Sequence, residues 1–287
     1  MNASSAQLDD PGAVLEVRDV TVRFGGLTAL DAVSLAVPPR HVAGVIGPNG
    51  AGKTTLLNVL CGFIRPDHGE LRIGGRPQRT MRPHRLAGLG VARTLQGVGL
   101  FGGLTALENV MAGATSQATA GFWSSLLSLP WAGRDERKLA RLAREALDRV
   151  GADAIADLRP GELSYGMRKR IALARALAAQ PRLLLLDEPA SGLDEAELAE
   201  LGQLIRDLAT GTGISLVVVE HHMDLMMSVC DTITVLDFGK VIAAGSPEQI
   251  QADPAVTAAY LGTADAQRTA DAQRTAGDLS TEETAHE

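Results

Sequence analysis

The chain has 287 residues, 45% of them hydrophobic but only 3% aromatic, and a formal net charge of −7. That is enough apolar material for a sizeable, mainly aliphatic core in one large domain or two lobes. The acidic balance argues against nucleic acid as the main partner, which needs a basic stripe, and purely apolar runs such as Leu183 to Leu186 fall far short of the roughly 20 residues that span a bilayer.

Residues 1–13 carry neither the basic stretch nor the apolar core of a secretory signal and are expected to be flexible. From Leu15 to Phe24 apolar and polar residues alternate with one slip in phase near Asp19, which predicts a strand with a bulge or a break. Ala32 to Val37 alternates again, and Val42 to Ile46 reads as a short buried strand beyond Pro38 and Pro39. Strands that follow one another without helices suggest an antiparallel edge.

Immediately after that buried strand comes Gly47-Pro48-Asn49-Gly50-Ala51-Gly52-Lys53-Thr54, a G-x-x-x-x-G-K-[ST] loop leading into a helix that starts near Gly52. Glycines let such a loop curl until its N–H groups converge on a phosphate, and the helix adds its positive end. Lys53 can reach the β- and γ-phosphates, Thr54 can ligate Mg²⁺, and Thr55 reaches the α-phosphate side. The loop implies a nucleoside triphosphate with Mg²⁺ and no particular reaction.

The region from about 96 to 167 carries no clear strand and reads as a helical insertion; within it, Leu139, Leu142, Ala143, Ala146, Leu147 and Val150 share one face of a helix over Glu136 to Val150. Leu163-Ser164-Tyr165-Gly166-Met167 precedes a helix predicted over Arg168 to Ala179, with Ser164 as its cap. Next, Leu183 to Leu186 delivers Asp187 and Glu188 to the end of a buried strand, the edge at which α/β sheets bind ligands. Asp187 suits a water-mediated Mg²⁺ contact and Glu188 suits polarising an attacking water. A further helix carries Leu198, Leu201, Ile205 and Leu208; Ile214 to Val219, Thr232 to Leu236 and Lys240 to Ala244 read as strands, the last two joined by a turn at Asp237-Phe238-Gly239. The whole is an α/β fold: a P-loop core with an antiparallel β subdomain and a helical subdomain. Cys61 and Cys230 match no metal-binding spacing and read as buried packing residues of a reducing compartment. Residues 263–287 contain a direct repeat, Thr263 to Arg268 and Thr269 to Arg274, and are polar enough to predict disorder.

In this order the motifs resemble the ATP-binding cassette (ABC) family over almost all of Val14 to Gly262. The resemblance makes Leu163 to Met167 the signature loop, whose Ser164 and Gly166 would bind the γ-phosphate of ATP held by an opposite subunit. It makes Gln96 the glutamine loop that senses Mg²⁺ and contacts a permease, Asp194 (in Ser191 to Asp194) part of the loop crossing the dimer interface, His221 the switch histidine, and Phe24 the aromatic ring against adenine. Tyr165 and Met167 depart from the family's commonest signature, Leu-Ser-Gly-Gly-Gln. Further segments, among them Phe24 to Leu30, Arg93 to Gln96, Leu104 to Val110 and the aromatic insertion from Gly121 to Arg134, resemble the first of the two ATPases of branched-chain amino-acid importers. The implied assembly is peripheral to the cytoplasmic face of the membrane and contains a second ATPase, identical or related, permease subunits, and indirectly an extracytoplasmic binding protein. Importers of urea or short amides share this architecture, and a non-transport ABC ATPase is the remaining alternative.

Overall fold

A computed structural model of the chain describes residues 12–78, 81–94, 97–117 and 132–260. The expectations for residues 1–11, for Gln96, for the aromatics at 122–131 and for the repeat beyond 260 lie outside the described residues.

Two β-sheets form the frame. The first has the order β2-β1-β4-β5, built from β1 (Leu15–Phe24), β2 (Leu27–Val37), β4 (His68–Ile73) and β5 (Arg76–Pro77). The slip at Asp19 is a real irregularity: the register shifts between Val17 and Val20 against β2 and between Arg18 and Thr21 against β4, and Asp19 takes a positive φ of 49° with its N–H donated to the Ser34 hydroxyl. β2 begins at Leu27, earlier than alternation alone suggests, because Gly25 and Gly26 close a tight hairpin pairing Phe24 with Leu27.

The second sheet has the order β10-β9-β3-β8-β7-β6, from β3 (Val42–Ile46), β6 (Val91–Arg93), β7 (Leu183–Asp187), β8 (Ser215–Val219), β9 (Thr232–Asp237) and β10 (Lys240–Gly245). Every neighbouring pair from β9 to β6 is parallel and only β10 runs antiparallel. Its central strands are buried on both faces, and alternate residues feed two different cores. Val42, Ile46, Leu184, Leu186, Leu216 and Val218 face one cluster, while Ala43, Val45, Leu183, Leu185, Val217 and Val219 face the other.

The first cluster is roofed by α2 (Ala106–Gly113), α3 (Ala132–Arg149), α4 (Tyr165–Leu177), α5 (Glu195–Thr212) and α6 (Met223–Val229). Within that layer α2, α3 and α4 pack on one another, and a last short helix, α7 (Pro247–Gln251), lies against β10. The second cluster holds α1 (Lys53–Leu60) and the inner face of the first sheet. Phosphate loop and acidic strand end therefore sit at one sheet edge between the two cores. Cys61 and Cys230 are both buried and free, and burial pushes the Cys230 thiol up to about 12, which keeps it protonated and inert.

Two helices start before their expected positions. α4 begins at Tyr165, not Arg168, because the Ser164 hydroxyl accepts the Met167 N–H and so closes the first turn directly behind the cap; it ends at Leu177, and Gln180 (φ 52°) then turns the chain before Pro181. α3 begins at Ala132, so the periodic face from Leu139 onward lies within a longer helix.

Candidate nucleotide site

The loop between β3 and α1 is fixed by its glycines. Gly47 (φ 152°) passes so close to the Leu236 carbonyl that any Cβ would strike it, and a Cβ on Gly52 (φ 103°) would lie 2.7 Å from the Ala29 oxygen. The turn after β9 clamps the loop from the side: the Gly239 N–H donates to the Ala51 carbonyl at 3.0 Å, and the Gly239 carbonyl accepts from the Asp31 N–H at 2.8 Å. Lys53 is only 7% exposed, yet its ammonium donates to the carbonyls of Gly47 (2.6 Å) and Pro48 (2.9 Å) and, among the described residues, pairs with no carboxylate within 4 Å. Burial holds it below the usual lysine range, opposed by attraction to Glu188 and Glu220. A buried cation that satisfies itself on loop carbonyls is poised for an anion. Asn49, Gly50 and Thr54 are exposed in the mouth of the same cleft, whose walls include Phe24, Leu27, Phe238 and Glu188. Phe24 is half exposed there.

Asp187 ends β7 with a buried side chain and an ion pair from its Oδ2 to the Arg93 guanidinium at 2.8 Å. Arg93 also donates to Asn58 Oδ1 on α1 at 3.1 Å and lies over the Phe63 ring, so one side chain joins β6, α1 and β7. Glu188 follows with a positive φ of 45°, unusual for a residue with a Cβ, and its N–H donates to Val219 O at 2.9 Å. Strain at this position is the kind that active sites retain when surrounding bonds over-determine it.

His221 sits just past β8 with its side chain 52% exposed. Glu220 before it is wholly buried. From α4, Lys169 donates to the Pro189 carbonyl at 2.7 Å; burial lowers its pKa, while Glu220, Glu188 and Glu197 pull it upward.

Ser164 and Gly166 are not among the residues lining the phosphate-loop cleft. Ser164 is exposed, whereas Gly166 is buried against the Glu197 carboxylate, which leaves no room for a Cβ. Glu197 belongs to the capping box opened by Asp194, so the signature loop and the Ser191 to Asp194 loop are braced together in one chain. The Tyr165 ring completes the brace beside Gly192 and under the cationic groups of Arg168 and Lys169. Thus Lys53, Thr54, Thr55, Glu188 and Phe24 share one cleft; Asp187 and His221 lie at the ends of adjacent strands; Ser164 and Asp194 are exposed outside that cleft, and Gly166 lines a second cavity together with Asp187 and Glu188. Sequence reasoning missed Arg93, Lys169, Glu197 and Glu220. The signal available for two of them was a charged residue at the end of an apolar strand.

A strand, phosphate loop and helix at the end of a mainly parallel sheet, with a helical layer carrying a second capped turn at Ser164, define a P-loop ATPase of the cassette class. Residues 30–191 match the ABC transporter family, and residues 240–266 match the branched-chain amino acid ATP-binding cassette transporter family. The chain is 40% identical over 251 residues to the high-affinity branched-chain amino acid transport ATP-binding protein BraF of Pseudomonas aeruginosa, covering 88% of this chain and 98% of that protein. The fold superposes on the ADP conformation of MJ1267, an ATP-binding cassette of an ABC transporter, with a TM-score of 0.75, 29% identity and coverage of 87% and 99%. It also resembles MJ0796, a bacterial ABC transporter cassette solved as a dimer, with a TM-score of 0.68, 26% identity and coverage of 81% and 98%. The chain belongs to the ABC transporter family, as an ATP-binding cassette whose ATPase activity is coupled to transport. Among the described residues no helix is long and apolar enough to cross a membrane.

Proposed function

We propose that this chain hydrolyses ATP to energise an importer of branched-chain amino acids, working from the cytoplasmic face of the membrane with a second cassette, permease subunits and, indirectly, an extracytoplasmic binding protein. The observation that carries the catalytic part is the single cleft shared by the buried Lys53 ammonium, the open phosphate loop, Glu188 and the Phe24 ring. The cargo rests on the family match at 240–266 and the likeness to BraF.

In this reading the amides of Gly47 to Thr55, including those of Asn49, Gly50 and Ala51, and the Lys53 ammonium hold the phosphates; Pro48 stiffens the turn. Phe24 stacks on the base. Thr54 and, through water, Asp187 provide the hard oxygen donors that suit Mg²⁺, and the family resemblance assigns Gln96 to the same ion. Arg93 engages Asp187 through Oδ2, so Oδ1 is the oxygen this reading assigns to a hydrated cation. Mg²⁺ supplies charge neutralisation on the phosphates when bound. Glu188 orients and deprotonates the attacking water, and His221 contacts the γ-phosphate. Ser164 and Gly166 of one chain, with the Asp194 loop, complete the site of the other; this is supported by their absence from the cleft of their own phosphate loop. Binding energy closes the pair and product release reopens it.

The test is uptake of labelled leucine in cells whose only copy carries Glu188→Gln, alongside ATPase activity of the purified protein. Both should collapse, hydrolysis by about 10²–10⁴-fold, the range of a lost general base. Leucine uptake unchanged while hydrolysis is lost would overturn the cargo assignment and direct the same assay to urea and short amides.

A further inference from the structure

Glu220 has no part in the chemistry above, yet it is the most completely engaged carboxylate of the site. It lies between the end of β8 and His221, wholly buried, with its own N–H on the Val45 carbonyl at 3.3 Å. Its Oε1 accepts the Ala190 N–H at 2.6 Å. Its Oε2 accepts the N–H groups of His221 (2.9 Å) and His222 (3.4 Å), and the same oxygen lies 3.4 Å from His221 Nδ1. No lysine or arginine pairs with it within 4 Å among the described residues; Lys53 and Lys169 act on it only at longer range. The two oxygens therefore face two different turns. One carries Glu188, two residues before Ala190, and the other carries His221.

We propose that Glu220 is a positioning residue for hydrolysis: its carboxylate bolts the Glu188 turn to the His221 turn, so that both side chains meet the γ-phosphate in fixed register. The inference rests on the ATPase reading given above. A carboxylate is the side chain suited to the task, because both of its oxygens accept and neither donates. Lys169 secures the neighbouring carbonyl of Pro189, so the Glu188 turn is held from the signature helix as well as from β8. That gives the strained Glu188 backbone two external supports.

Glu220→Gln isolates this role. The amide is isosteric but offers one accepting oxygen, so its NH₂ must confront N–H donors on one of the two sides. The transporter complex should keep its ATP affinity, read with a fluorescent ATP analogue, and its KM, while kcat falls about ten- to hundredfold, the range expected when reacting groups are misplaced by an ångström. In a His221→Ala background the same substitution should cost at least about threefold less, since coupled residues are not additive. A full multiplicative loss in that background, or an affinity that falls in step with kcat, would overturn the proposal. If Glu220→Gln does not fold, Glu220→Asp keeps both acceptors one methylene short of spanning the turns. It should show the same split between kcat and KM, and a wild-type kcat would overturn the proposal equally. A wild-type complex that fails to hydrolyse ATP would instead reject the ATPase reading.

Discussion

The phosphate loop and the signature loop both lead into helix N-termini, at Gly52 and Ser164, but the chain treats them differently. The phosphate loop is enclosed: β3 fixes one end, the Gly239 turn clamps its flank, and Lys53 is buried and bonded to the loop's own carbonyls. The signature loop is braced only from behind, by Glu197 at Gly166 and by Tyr165 against the Gly192 loop, and its Ser164 faces outward. One is a finished cradle. The other is a stiff edge whose Ser164 and Gly166 do not line the phosphate-loop cleft of their own chain, which is the arrangement expected if Ser164 serves a neighbour's.

That contrast can be broken by substitutions on either side. The largest effect belongs to the cradle: Lys53→Ala should weaken ATP binding by about ten- to hundredfold, the worth of a charge-assisted hydrogen bond, in a titration of the isolated chain. An affinity within twofold of wild type would mean that the loop amides alone carry the phosphates. A smaller effect belongs to the base: Phe24→Ala should weaken ATP by about threefold to tenfold, matching about 0.5–1.5 kcal/mol for a ring contact, and should leave inorganic triphosphate binding unchanged. Equal losses for both ligands would place Phe24 in the scaffold and not under the base.

The same contrast explains what could be read from the sequence. The phosphate loop, the Ser164 cap, the acidic end of β7 and the bulge at Asp19 are contiguous signals, each complete within a few residues. β4, β5 and β6 were not legible: β5 spans two residues and β6 three, and they exist as strands because β4 and β7 pair with them. The supports of the site were hidden for a related reason. Arg93 meets Asp187 across 94 residues of sequence, Glu220 meets Ala190 across 30 and Lys169 meets Pro189 across 20. No local pattern encodes those meetings; they arise when parallel strands bring distant chain segments to one sheet edge. The extra Cβ-free contact at Gly166 is of the same kind, since Glu197 lies on the next helix along.

In the proposed function the cradle and the signature edge of one chain belong to different ATP molecules. Ser164→Arg tests it most directly, with ATP affinity measured on the single chain and hydrolysis measured on the assembled transporter. Affinity should stay within twofold of wild type and hydrolysis should fall by more than about tenfold, because the substitution blocks only the neighbour's γ-phosphate. Loss of ATP affinity in the single chain, to the degree seen with Lys53→Ala, would contradict it and put both loops on one nucleotide.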